Sequence, residues 1–269
     1  MSALYTAATG MMAQATNVDV ISNNIANVNT TGYKTARAEF QDLLYQQHVR
    51  PGSRTGNTDT LAPTGVQVGA GVKAAGVSYS SMQGSLKQTD NKLDVALRSP
   101  GNYLVVAIPG QDRLTYTRDG SLKLSADGRL VTRDGYDVMV DGGPVEIPAS
   151  ATDITINEAG EIFVTEGGAV EARRLGQLDL ALFPNENGLL HVGGNLLMES
   201  EASGAPVDGK ANDMANGFGA ISQGYLEMSN VNIVAEISDL ITAQRGYEMN
   251  GKVMEAADQM GQAANRVMG

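Results

Sequence analysis

Both ends of this 269-residue chain carry apolar residues in steps of three and four, while the long stretch between them alternates in steps of two. At the N-terminus the series is Leu4, Ala8, Met11, Ala15, Val18, Ile21, Ile25 and Val28. Such steps put the side chains on one helix face, in a narrow stripe like that of a coiled-coil seam. Asn23, Asn24, Asn27 and Asn29 weaken its far end, and Thr31-Gly32 is expected to stop it. Near the C-terminus Ile233, Ile237, Leu240, Tyr247, Met254, Ala257, Met260 and Ala264 follow the helix-start signal Ser229-Asn230. Gly246, Gly251 and Gly261 interrupt that series. Each costs a helix about 1 kcal/mol relative to Ala, so a helix that keeps them needs another backbone close by.

Between the helices the pattern is that of short strands. Tyr103 to Ile108 is an apolar run closed by Pro109-Gly110. Thr-Arg-Asp-Gly occurs twice, ending at Gly120 and Gly135, with Asp127-Gly128 between. Asp-Gly flanked by alternating residues marks a hairpin. A looser echo spans 154–168, and Leu178 to Leu182 alternates again. Residues 46–65 and 200–219 are polar and rich in Gly, Thr or Ser, and read as loops. The fold class is therefore α+β. Discontinuous N- and C-terminal helices form a coiled-coil-like core domain (1–34 with 229–269). An extended β linker region (35–85 with 208–228) joins it to a β-rich central domain (86–207).

The net charge of −11 argues against a nucleic-acid partner, which requires clustered Lys and Arg. Residues 1–45 carry −1, residues 229–269 carry −2 and the middle carries the remaining −8, so the acidity belongs to the β-rich part. No apolar run is long enough to span a bilayer, and the first residues lack the charged and apolar regions of a cleavable secretory signal. The absence of Cys excludes disulfides, thiolate metal sites and thiol catalysis.

Chemistry-bearing patterns are weak. His48 lies in the polar 46–65 stretch and His191 in a Gly-rich turn, and both read as ordinary exposed residues. Gly69-Ala70-Gly71-Val72-Lys73-Ala74 fits a loose dinucleotide-binding form, but no helix follows to hold a pyrophosphate, so a β-turn is expected. The pairs Asp90/Asp94 and Asp134/Asp137 lack calcium-loop spacing and read as solvated turn carboxylates. No catalytic, cofactor-binding or metal-binding residue is expected.

An isolated amphipathic helix is marginal in water, so both apolar stripes need partners. They can pair with each other in a hairpin, or be covered by other copies of the chain. The many small residues, such as Ala7, Gly10, Ala13, Ala243 and Gly246, permit tight packing and give a freestanding hairpin little bulk.

Asn23, Asn24, Ala26, Asn27, Thr31, Gly32, Tyr33 and Lys34 resemble the N-terminal signature of bacterial flagellar rod and hook proteins. Ser229, Asn230, Val231 and Glu236, followed by Gln244, Arg245, Tyr247, Glu248 and Asn250, resemble their C-terminal signature. The segment from Tyr116 through Tyr136 is similar to the family's β-domain. The family usually has Ala where this chain has Gly246, and Ser or Ala near Gly251, so contacts with neighbours should matter more here for helicity. The length, the Leu43-Leu44-Tyr45 junction, Leu180 to Asn185 and Ser203-Gly204-Ala205-Pro206 resemble the distal rod type within the family.

The resemblance implies a non-enzymatic structural subunit of the flagellar distal rod. It would self-assemble into a rigid helical tube that transmits torque from motor to hook. The terminal helices would form the inner tube, and the stretch holding Pro51, Leu61 and Pro63 would stiffen the rod against its neighbours. Implied partners are further copies of the chain, the proximal rod proteins, the hook protein, the L and P ring proteins and the flagellar type III export apparatus, with no nucleic acid and no membrane insertion. The implied location is the periplasmic part of the basal body. The termini would be largely disordered before assembly. A proximal rod or hook-type relative, and a periplasmic peptidoglycan-acting enzyme, are the alternatives.

Overall fold

The computed structural model describes residues 2–52, 64–110, 113–167 and 172–268. They divide into two compact units. Unit one comprises 1–25, 36–78 and 233–269, and unit two comprises 26–35 and 79–232. The fold is α+β, with a helix at each end of the chain and strands between.

Unit one holds α1 (Ser2–Ala26) and α2 (Ile233–Met268), together with β1 (Ala36–Asp42), β2 (Tyr45–Val49), β3 (Val66–Gly69) and β4 (Val72–Tyr79). Strand β1 pairs with β4, and β2 with β3. The β-turn expected at Gly69-Ala70-Gly71 is not formed: residues 70–71 carry β3 on into β4 opposite the β1–β2 junction, with Leu43 N–H donating to the Gly71 carbonyl and Ala70 N–H to the Leu44 carbonyl, and no helix follows. The reading of 46–65 as a loop needs correction at its start, because residues 46–49 lie in β2. Leu61, Pro63 and the rest of 53–63 lie outside the described residues.

The first helix ends five residues earlier than Thr31-Gly32. Asn24 turns its side-chain amide onto Ala36, accepting from its N–H at 2.9 Å and donating to its carbonyl at 2.8 Å. Beyond Ala26 the chain turns, with Thr30 N–H donating to the Asn27 carbonyl. Val28 therefore lies past the helix.

Unit two carries β5 (Leu86–Gln88), β6 (Val95–Leu97), β7 (Asn102–Ala107), β8 (Leu114–Thr117), β9 (Lys123–Leu124), β10 (Leu130–Val131), β11 (Asp137–Val140) and β12 (Gly143–Pro144). These are followed by β13 (Ala151–Ile156), β14 (Glu161–Glu166), β15 (Arg173–Gln177), β16 (Asp179–Leu182), β17 (Leu190–Gly193), β18 (Leu196–Met198), β19 (Val207–Lys210), β20 (Ile221–Gln223) and β21 (Tyr225–Glu227). Ten of them form one sheet with β7 at its branch point. One side of β7 pairs with β8. The other is shared, Asn102 to Leu104 facing β16 and Val106 and Ala107 facing β11.

Successive side chains of a strand point to opposite faces, and β7 buries both of its faces. Leu104 joins the main core with Leu122, Leu130, Val138, Leu178 and Leu180. Tyr103 and Val105 join a second cluster with Tyr116, Ala181 and Phe183. That is why β7 reads as an unbroken apolar run.

The expected hairpin around Asp127-Gly128 is present as β9–β10, with Leu124 opposite Leu130. The repeated Arg-Asp-Gly serves two purposes. Gly135 has φ +87° with open space around it, whereas a Cβ at Gly120 would lie 1.7 Å from the Val95 carbonyl oxygen. The first is a turn requirement, the second a close approach of two backbones. The loop reading of 200–219 is corrected by β19, which pairs with β16 over four residues. Its Val-Asp-Gly-Lys looks like a turn, but the glycine makes room for a ring: a Cβ at Gly209 would lie 2.1 Å from the Phe218 side chain.

Candidate assembly surfaces

In unit one the two helices run antiparallel in constant register. A Cβ at Gly10 would lie 2.9 Å from Asn250, and one at Gly246 would lie 3.3 Å from Gln14. Asn24 donates to Glu236 Oε2 at 3.1 Å. Each step forward on α1 is matched by one step back on α2. Ala7, Ala13, Asn24, Glu236 and Ala243 are buried. The contact is thus built from small and polar side chains. A buried polar pair such as Asn24–Glu236 fixes register better than an aliphatic seam does.

The apolar series read from the sequence lies elsewhere on the helices. Of the α1 series only Ile21 is buried; Leu4, Ala8, Met11, Val18 and Ile25 are half-buried and Ala15 is exposed. On α2 Leu240, Met254 and Ala257 are half-buried, and Ile233, Ile237, Tyr247, Met260 and Ala264 are exposed. Of the three helix glycines, only Gly246 meets another element; Gly251 and Gly261 have nothing within 4 Å among the described residues. The signature residues Gln244, Arg245 and Glu248 are exposed, while Asn250 is half-buried against α1.

The two-stranded ribbon of β2 and β3 also presents apolar side chains. Its register pairs Tyr45 with Gly69, Gln46 with Val68, Gln47 with Gln67 and Val49 with Val66, with an irregularity at His48. The extra residue brings Val49 onto the face shared by Val66 and Val68. These three valines are 42%, 52% and 43% exposed. Leu44, just before the ribbon, is 89% exposed. Pro51, which follows it, is exposed. An isolated two-stranded ribbon is marginal in water, and among the described residues this one's apolar face stays exposed.

In unit two the N-terminal signature is held by a residue that the sequence reading missed. Glu227, buried at the end of β21, accepts from Lys34 Nζ at 2.7 Å and from Arg118 Nε at 2.8 Å. Gly84 N–H adds a third bond at 3.0 Å. Arg118 also donates to the carbonyls of Asn102 and Ser99, and Lys34 to the Met82 carbonyl. Gly32, at φ +67°, donates its N–H to the Glu227 carbonyl at 2.8 Å, and a Cβ there would lie 2.8 Å from the Arg118 carbonyl carbon. Asn230 Oδ1 accepts from both the N–H and the hydroxyl of Thr35, at 2.7 and 2.6 Å. Gly32, Lys34, Arg118 and Asn230 were thus legible as motif members, while the carboxylate that joins them was not. A lone Glu at the end of a short strand carries no signal of burial.

Beside this network lies a cleft of about 70 Å³ lined by Tyr33, Lys34, Tyr79, Tyr103, Arg118 and His191, among others. Burial, and then the Arg118 charge, push the Lys34 ammonium below its ordinary pKa, against the pull of Glu227. Burial, and then the Glu186 carboxylate, raise Tyr103, whose hydroxyl donates to Glu186 at 3.1 Å. His191 is exposed as a residue, as expected, but its ring stacks on Tyr79, ring centroids 3.9 Å apart, and partial desolvation lowers its pKa. His48 sits in β2, not in a loop. The solvated reading of Asp94 is corrected: it is buried, accepting from Thr89 and Asn91. Among the described residues no group of three or more His, Asp or Glu could hold a metal, and no helix is long and apolar enough to cross a membrane.

Three family models match the chain. "Flagella basal body rod protein" covers residues 4–34, "Flagellar hook protein FlgE/F/G D1 domain" covers 101–164 and "Flagellar basal body rod FlgEFG protein C-terminal" covers 222–267. Glu227 lies inside the last of these, Arg118 inside the second and Lys34 inside the first. The chain is 48% identical over 267 residues to the flagellar basal-body rod protein FlgG of Caulobacter vibrioides, covering 99% of both chains. It is 48% identical over 260 residues to that of Agrobacterium fabrum, covering 97% of both. With that of Borreliella burgdorferi it shares 42% identity over 269 residues, 99% of this chain and 98% of the relative. On full-length likeness to these relatives, the chain belongs to the flagellar basal-body rod protein FlgG family.

Proposed function

We propose that the chain is a structural subunit of the flagellar distal rod and assembles with copies of itself into a rigid helical tube that carries torque from motor to hook. The observation that carries this reading is the helical hairpin of unit one. Its two helices meet through small and polar residues and leave Ile233, Ile237, Ile241, Tyr247, Met249, Val253 and Met260 exposed on α2. Burying apolar surface contributes about 25 cal/mol per Å², so these side chains supply a drive for association that the lone chain leaves unused. Contacts that do not close on themselves produce a filament.

In this reading the terminal helices form the coiled-coil-like wall of the tube, and the 46–65 stretch stiffens it by contacting neighbours. The valine face of the ribbon, Val49 with Val66 and Val68, is the apolar surface that such contacts would cover. The chain would occupy the periplasmic part of the basal body after type III export, meeting proximal rod proteins below, the hook above and the L and P rings around it. The test is assembly of the purified full chain at rising concentration, followed by cryo-electron microscopy. Hollow helical tubes of this chain alone support the proposal. A chain that stays monomeric at every concentration and does not add to isolated rods overturns it.

A further inference from the structure

Lys34 and Arg118 share a single carboxylate. Of the three N–H groups of the Lys34 ammonium, one goes to Glu227 Oε1 at 2.7 Å and one to the Met82 carbonyl at 2.8 Å. Arg118 spends three of its five donors, on Glu227 Oε2, the Asn102 carbonyl and the Ser99 carbonyl. Among the described residues, one donor of Lys34 and two of Arg118 are therefore left without a protein acceptor. Glu227 already accepts from both cations and from Gly84 N–H. Two cations set against one carboxylate leave this centre one positive charge in excess, in a part of the chain that is otherwise acidic.

Both side chains line the cleft of about 70 Å³. Tyr33, Tyr79, Tyr103 and Leu197 give it aromatic and aliphatic walls. Glu186, the other carboxylate of the lining, accepts from the Tyr103 hydroxyl at 3.1 Å and forms no ion pair among the described residues. The space is roughly twice the ~30 Å³ share of a water molecule in the liquid, so a sugar ring or a nucleotide is too large and a two-carbon group fits. Cationic donors set among ring faces suit a ligand with an anionic head and a short apolar stem. The Arg118 side chain is only 3% exposed and that of Lys34 12%, so hydrogen bonds made there are screened little by water.

The geometry points to a carboxylate-binding site: the cleft takes a compact monoanion, its oxygens on Lys34 and Arg118 and its methyl or methylene among the tyrosines. Two sources supply that chemistry, a small free carboxylate and an Asp or Glu side chain of a second copy of the chain. Only the second source rests on the rod reading above; the site itself does not.

The test titrates sodium acetate into the full-length chain at constant pH and ionic strength, with acetamide, its neutral isostere, as the control. The imidazole resonances of His191, which lines the cleft, report binding, and those of His48, in β2, serve as the internal reference. A saturable shift of His191 with acetate alone is expected. A response to acetamide as well, or to neither, overturns the proposal. Lys34→Gln should weaken acetate by about tenfold or more, through the loss of a charge-assisted hydrogen bond. Glu186→Gln removes a competing charge while keeping an acceptor for Tyr103, and should tighten acetate by about threefold. If Lys34→Gln does not fold, Glu186→Gln decides alone, and unchanged or weaker binding overturns the proposal. A cryo-electron microscopy map of the assembled tube separates the two sources. A neighbour's acidic side chain seated in the cleft assigns it to the second copy, and an open cleft with a persisting acetate response assigns it to free carboxylates. A cleft closed over by a neighbour with no carboxylate in it overturns the proposal. If the chain forms no tubes, the rod reading fails, while the acetate titration still decides this one.

Discussion

Asn24 and Glu236, 212 residues apart in the chain, meet at 3.1 Å in the contact between the two helices. The same Asn24 amide closes both hydrogen bonds of Ala36, so one side chain ends the first helix, anchors the strand that follows and sets the register of the last helix. Asn24→Leu would leave the Ala36 N–H and carbonyl without these partners. Unsatisfied buried groups cost about 1–3 kcal/mol each, so a loss of about 2–4 kcal/mol is expected. Urea unfolding followed by helical circular dichroism on the assembled protein measures it. A loss below about 0.5 kcal/mol, no more than an ordinary surface substitution, would remove Asn24 from this role.

Glu227 balances the buried Arg118 and the half-buried Lys34, and removing its charge leaves both uncompensated. Glu227→Gln should destabilise unit two by about 3–5 kcal/mol. Lys34→Met should cost less, because it leaves the Arg118–Glu227 pair intact. Denaturant midpoints read by tyrosine fluorescence give the order. Equal losses would show that the carboxylate is not the centre of the network.

His191 carries a pH dependence of known sign. Partial desolvation lowers its pKa below the ordinary 6.5, so the unfolded chain binds the proton more tightly than the folded one. The stability it contributes is present above 6.5 and is lost as pH falls through the lower folded value. With only two histidines, the imidazole resonances can be assigned with a His191→Gln variant and titrated by NMR. A midpoint at or above 6.5 would contradict the burial.

Deleting 46–65 removes most of β2, Val49 with it, and leaves Val66 and Val68 of β3 without their partner strand. Tubes should still form, because the helices are untouched, but with lower bending stiffness measured from curvature in electron micrographs. Unchanged curvature would show that this stretch does not stiffen the rod.

The terminal helices should gain protection only on assembly. In the dilute chain amide exchange across 2–26 and 233–268 should be fast compared with that of β7, whose two faces are buried. In the tube it should slow by at least about tenfold, the effect of about 1.4 kcal/mol. Equal protection before and after would place their stability within the single chain.

Periodicity located both helices because regular steps of three and four survive whatever they pack against. It did not identify the faces that meet within the chain: Ala7, Gly10, Ala243 and Gly246 stood out as small packing residues, but no apolar period ties them, or Asn24, to a shared contact. Strand β7 and the β9–β10 hairpin were legible for local reasons, an unbroken apolar run and an Asp-Gly turn. Strand β19 was hidden because its glycine answers to Phe218 nine residues later. Glu227 was hidden for a similar reason: its importance lies in Lys34 and Arg118, which only the folded chain brings to it.

The irregularity at His48 has a consequence for how this ribbon can change in length. Since sides alternate residue by residue, losing or gaining one amino acid between Tyr45 and Val49 would swing Val49 away from Val66 and Val68 and split the valine patch. Changes by two would keep all three together. Relatives in which this segment has lengthened or shortened should therefore differ here by even numbers, or carry a second single-residue change that restores the parity.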